Sequence, residues 1–66
     1  MKIETADIWR KHHSEIYFFV LKKVKDEEAT REIIQNVFLK IHQNIASLKD
    51  RTKVRAWVFT IVRNEI

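Results

Sequence analysis

Apolar residues recur at helical spacing in three separate stretches of this chain. In the last of them Val54, Trp57, Val58, Ile61 and Val62 stand at i, i+3, i+4, i+7 and i+8, one face of an amphipathic helix. The first stretch places Ile8, Trp9, Ile16, Phe19, Val20 and Val24 on one broad face, with Phe18 and Leu21 off it. A helix apolar on two sides is expected to be sandwiched between neighbours, with a partner-binding patch as the alternative reading. The middle stretch aligns Ile33, Ile34, Val37, Phe38, Ile41 and Ile45. The pattern predicts helices from Thr5 or Asp7 to Val24, from Glu27 to Ile45, and from Thr52 to the chain end. Thr5 or Asp7 is expected to cap the first, and Asp50 or Thr52 the third. Lys22, Lys23 and Lys25 suit the negative end of the first helix dipole, and Asp26, Glu27 and Glu28 the positive start of the second. The predicted fold is all-α, a compact bundle of three amphipathic helices. Its expected core is Trp9, Ile16, Phe19, Val20, Ile34, Phe38, Ile41, Val54, Trp57 and Ile61, with Phe59 and Ile66 off the main face.

Composition supports this class. The 66 residues suffice for one domain and include no Gly, Pro or Cys. Without Gly or Pro, tight hairpins are disfavoured and helices with short linkers are favoured. Without Cys there is no disulfide and no thiolate for redox or metal chemistry. No apolar run is long enough to span a membrane and no signal-peptide pattern opens the chain, so a soluble, cytoplasmic protein is expected. The third helix ends without a terminating Gly or Pro, which reads as an N-terminal fragment of something longer.

Charge adds direction. The net charge is +4, and residues 46–66 hold five basic side chains against two acidic ones. A basic loop feeding a basic helix studded with aromatics is what contact with a polyanion needs. A solvated basic surface helix has the same appearance.

The opposite face of the second helix differs. Glu32, Gln35, Asn36, Leu39 and Gln43 fall in a narrow wedge across from Ile41. An ordinary solvated face carries Lys and Glu pairs. Uncharged amides around an exposed leucine suit docking on another helix, although a lone exposed leucine is also common on monomers. His12 and His13 are adjacent, hence about 100° apart on a helix, and do not share one metal ion from one face. There is no nucleophile–base pair, phosphate loop or metal cluster to suggest an enzyme, and no cofactor is expected.

Three pieces in this order resemble region 2 of a bacterial RNA polymerase sigma factor of the extracytoplasmic-function type. They are the opening helix from Ile8 to Tyr17; Glu32-Ile33-Ile34-Gln35-Asn36-Val37-Phe38-Leu39-Lys40, similar to D-L-V-Q-E-V-F-L-K; and Val54-Arg55-Ala56-Trp57-Val58-Phe59-Thr60-Ile61-Val62-Arg63-Asn64, similar to F-R-A-W-L-F-R-I-A-R-N. The linker without Gly resembles the sigma-Z-like end of that family. The resemblance implies that Glu32, Gln35 and Asn36, with Leu39 and Gln43 in the same stripe, dock on the clamp helices of the polymerase β′ subunit. Glu32 and Asn36 depart from the usual acids at their positions.

The resemblance also implies that the loop and third helix grip the non-template strand of the −10 promoter element, with one base flipped out of the stack. Leu48 stands where Phe is frequent. Asn64 matches the terminal Asn, whose amide can both donate to and accept from a base edge. Lys49, Arg51, Lys53, Arg55 and Arg63 are the candidate phosphate contacts. The implied partners are polymerase core and promoter DNA, with an anti-sigma factor as a further candidate and no membrane. The competing readings are a helical protein-interaction adaptor without DNA binding, and a helix-turn-helix reader, which needs a short turn often carrying Gly.

Overall fold

The computed structural model describes residues 3–66. Three helices form the bundle expected from the pattern: α1 Thr5–Val24, α2 Glu27–Asn44 and α3 Val54–Glu65. Single 3-10 turns at Ile45–Ser47 and Arg51–Lys53 carry the chain from α2 to α3. No strand occurs among the described residues, and no helix there is long and apolar enough to cross a membrane.

The break between α1 and α2 is set by two adjacent residues. Lys25 adopts the left-handed conformation (φ 58°, ψ 33°), and its N–H donates to the Leu21 carbonyl at 2.7 Å. That conformation usually falls to glycine and costs other residues about 1–2 kcal/mol. Asp26 then caps α2, its carboxylate accepting from the Ala29 N–H at 3.1 Å. The expected cap of α1 is not formed. Glu4 holds the capping position without a side-chain bond. The Thr5 hydroxyl is instead hydrogen-bonded to His42 Nδ1 at 3.0 Å, and Asp7 pairs with Arg10 at 3.5 Å.

The second connection is tied at each step. Ser47 donates its hydroxyl to the Asn44 carbonyl at 2.7 Å, and the Leu48 N–H bonds the Ile45 carbonyl at 3.1 Å. Asp50 accepts from the Thr52 N–H at 2.9 Å and from the Thr52 hydroxyl at 2.6 Å. Asp50 thus caps the 3-10 turn at Arg51–Lys53, and α3 starts directly behind it rather than at Thr52. This short, self-bonded linker gives α3 a defined starting point without glycine.

The core differs from expectation mainly on α3. The buried apolar residues are Ile8, Ile16, Val20, Val37, Ile41, Val58, Phe59 and Val62. Val54, Trp57 and Ile61, expected at the centre, only pack partly buried around it, as do Trp9, Phe19 and Ile34. Phe38 is also half-buried. The helix is rotated by roughly 100° from the orientation that its apolar spacing suggests. Phe59 is the reason. Its ring meets Phe19 edge-on, with centroids 5.4 Å apart, and a buried phenyl ring outweighs the smaller gain of centring Val54 and Ile61. Trp9 meets Phe38 the same way at 5.1 Å and closes α1 on α2. The expectation that α1 is covered on two sides fails at Phe18, which is 65% exposed.

This core makes a testable ordering. Phe59→Ala should cost about 3–5 kcal/mol, while Trp57→Ala should cost distinctly less. Urea titration followed by helical circular dichroism measures both, and the reverse order would place α3 on its other face.

Candidate nucleic-acid and docking surfaces

The linker and α3 together build a shallow groove of about 360 Å³. Ser47, Leu48, Lys49 and Asp50 supply its loop wall, and Lys53, Ala56, Trp57 and Thr60 its helix wall. Leu48 packs partly buried on the core and so anchors the loop. Lys49 and Lys53 are exposed at the rim. The Asp50 carboxyl lies below its usual range because the Thr52 hydroxyl, and then the Thr52 N–H, donate to it. Its charge is therefore engaged within its own turn. The groove offers cations at its edge, the flat half-buried indole of Trp57 and the Leu48 side chain, the combination that holds a single-stranded base and its phosphates.

Rotation of α3 explains why Trp57 is here. Trp57, Thr60 and Asn64 lie at i, i+3 and i+7, a row about 60° wide in which Thr60 and Asn64 are exposed and Trp57 is half-buried against the edge of the core. Trp57 reads as core in the sequence because its spacing to Val54, Val58 and Ile61 is that of a buried face. Ala56 and Thr60 carry no signal of their own, although their angular position next to Lys53 and Asn64 would have grouped them. Along the axis Asn64 stands about 10 Å beyond Trp57. It therefore stands outside the groove.

The candidate cations separate. Lys53 and Asn64 share a face, and Arg63 is exposed beside Asn64 in the last turn. Arg55 is about 180° round the helix from Asn64. Its guanidinium lies over the Phe59 ring at 4.9 Å. Its Nε donates to Glu15 Oε1 at 3.2 Å, and a second N–H donates to the other carboxylate oxygen. This bidentate pair joins α1 to α3. It holds the Glu15 carboxyl below its usual range, chiefly through the Arg55 hydrogen bond, and raises the Arg55 guanidinium for the same reason. Arg51 lines a second groove of about 340 Å³ with Asp7, Lys11 and His12, on the α1 side of the linker.

His12 is buried beside this clamp. Among the described residues its Nε2 is a buried side-chain polar atom with no hydrogen-bond partner. Burial, followed by the charge of Lys11, lowers its pKa, while Glu15 opposes and Arg55 adds to the shift. His13 behaves differently. It is exposed, stacks on Trp9 and donates from Nδ1 to the Trp9 carbonyl at 2.9 Å. Among the described residues no group of His, Asp and Glu side chains could hold a metal ion.

On α2 the whole stripe of Glu32, Gln35, Asn36, Leu39 and Gln43 is exposed, Leu39 at 48%. It lies opposite Val37 and Ile41, both fully buried, so the burial that holds the helix also directs the stripe outward. A further groove, about 760 Å³, lies between the start of α1 and the end of α2 and includes Trp9, Phe38, His42 and Ile45. It is chiefly apolar and contains none of the candidate DNA contacts.

Comparison with known proteins shows which family the chain resembles. Residues 8–66 match the family described as Sigma-70 region 2. The chain is 32% identical over 66 residues to the RNA polymerase sigma factor SigZ of Bacillus subtilis (strain 168), covering all of this chain and 36% of that protein. It is 29% identical over 58 residues to the ECF RNA polymerase sigma factor SigM of the same organism, covering 88% of this chain and 35% of that one. The chain thus spans about a third of the length of these curated relatives. No solved structure matches it.

The pKa directions predict a two-stage loss of stability on acidification. His12, Glu15 and Asp50 all have lowered values in the fold. Each therefore contributes stability that is present above its unfolded pKa and lost as pH falls through the folded value. The first loss should begin below about pH 6.5, from His12, and the second below about pH 4.5, from the carboxylates. Melting temperature measured across this range checks it. His12→Leu should remove the upper stage and leave the lower one.

Proposed function

The chain belongs to the sigma-70 region 2 family, and on that premise we propose that it is the polymerase-docking and promoter-reading part of a transcription initiation factor. The resemblance read from its three motifs is borne out by the family match and by the extracytoplasmic-function relative. The observation that best supports the division of labour is the separation of two exposed surfaces by one core. The amide-rich stripe looks outward from α2, while the cationic groove and the Trp57–Asn64 row look outward from the linker and α3.

In this reading Glu32, Gln35, Asn36, Leu39 and Gln43 dock on the β′ clamp helices of core polymerase. Leu39 supplies the apolar contact and the amides supply adaptable hydrogen bonds around it. The linker groove receives one unstacked base of the −10 non-template strand. Leaving the stack costs a few kcal/mol, which Leu48, Trp57 and the cations at the rim offset. Asn64 reads a further base edge down the row. Lys49, Lys53 and Arg63 track the phosphates, and Arg51 meets the strand at the second groove. Arg55 holds α3 on α1 through Glu15 and is given no phosphate. The domain carries out no catalysis itself.

Two measurements test the two surfaces. Glu32→Lys combined with Gln35→Ala should weaken binding to an isolated β′ clamp-helix fragment by roughly tenfold or more. Unchanged affinity would remove the docking assignment. Lys53→Glu with Arg63→Glu should weaken binding to single-stranded promoter-like DNA and flatten its logarithmic salt slope by about 1.4, two phosphates' worth. Arg55→Ala should lower the melting temperature and leave that slope unchanged. A helical adaptor would show no DNA binding to lose.

A further inference from the structure

Glu65 follows Asn64 directly, and its side chain is only 13% exposed. The carboxylate forms an ion pair with Lys40 Nζ on α2, whose side chain is 52% exposed. A side chain so largely covered keeps little of its rotamer freedom, and the ion pair gives its carboxylate one direction. Just before it, Val62 is fully buried. Beyond it, Ile66 is 48% exposed, and its N–H reaches the Val62 carbonyl at 3.3 Å. The last turn of α3 is therefore held by one apolar anchor in the core and by one ion pair to α2.

Successive residues of a helix point about 100° apart. Fixing Glu65 against α2 thus fixes the direction in which Asn64 leaves the helix. An amide discriminates between bases only when its donor and acceptor meet the base edge at a set angle. A turn that could roll or fray would leave Asn64 able to touch a base without choosing among bases. We propose that the Lys40–Glu65 pair is a positioning device that sets the base discrimination of Asn64. Neither residue touches DNA. Both act through the orientation of the α3 terminal turn. This rests on the base-reading role given to Asn64 above.

The test uses the chain with the β′ clamp fragment present and a set of short single-stranded oligonucleotides that differ at one base. The readout is the ratio of affinities between the best-bound and the worst-bound base at the position that Asn64→Ala identifies. A purely structural role would reduce the active fraction and weaken all oligonucleotides equally, leaving the ratio as it was. Glu65→Gln should lower the ratio roughly fivefold or more, with the salt slope unchanged because no phosphate contact is lost. Lys40→Gln should do the same. It borders Leu39 and the docking stripe, however, so Glu65→Gln is the cleaner variant. The exchange Lys40→Glu with Glu65→Lys should restore most of the ratio.

An unchanged ratio in Glu65→Gln would overturn the positioning role while leaving the reading role of Asn64 intact. Insensitivity of the parent ratio to Asn64→Ala would overturn both.

Discussion

The packing of Phe59 against Phe19 decides how α3 lies on the bundle, and the candidate surfaces depend on that choice. A helix with apolar residues at Val54, Trp57, Val58, Phe59, Ile61 and Val62 has more than one face to bury. Burying Phe59 with Val58 and Val62 turns Thr60 and Asn64 outward and leaves Trp57 half-buried at the edge of the core. The Arg55 guanidinium lies over the same phenyl ring and reaches across to Glu15. Aromatic edge, cation and carboxylate thus form one stack between α1 and α3.

Charge in this chain divides into ion-paired and solvent-exposed parts. Arg55 with Glu15 and Lys40 with Glu65 bind α3 to the other two helices. Asp50 is turned inward on its own linker. Lys49 and Lys53 stand exposed at the groove, and Arg63 stands exposed next to Asn64. The positive excess of the final third is real as a sum, but its members do different work. A bidentate guanidinium–carboxylate pair anchored over a ring is geometrically fixed. An exposed lysine keeps its rotamer freedom and can follow a phosphate.

The absence of glycine has visible consequences. Lys25 takes up a left-handed backbone that glycine would adopt at lower cost. The linker to α3 uses two 3-10 turns and the Asp50–Thr52 bonds in place of a flexible hinge. The groove beside Leu48 is consequently walled by a segment whose hydrogen bonds close on themselves.

The sequence by itself determined that the chain is three helices, where the first break falls, that Asp26 stands at the start of α2, and that the stripe from Glu32 to Gln43 faces away from the core. These follow from spacing and local hydrogen bonding, which need no knowledge of neighbours. Its motif order also carried the family. Only the tertiary structure decided which of two apolar faces α3 buries, that Trp57 borders a groove, and that Arg55 is bound to Glu15, 40 residues away in the chain. It alone joined Lys40 to Glu65. The physical reason is that helical periodicity reports which residues share a face, while the choice among faces rests on the shape and charge of what lies opposite. For α3 that was a phenyl ring and a carboxylate on α1, and no local pattern in residues 54–65 names them.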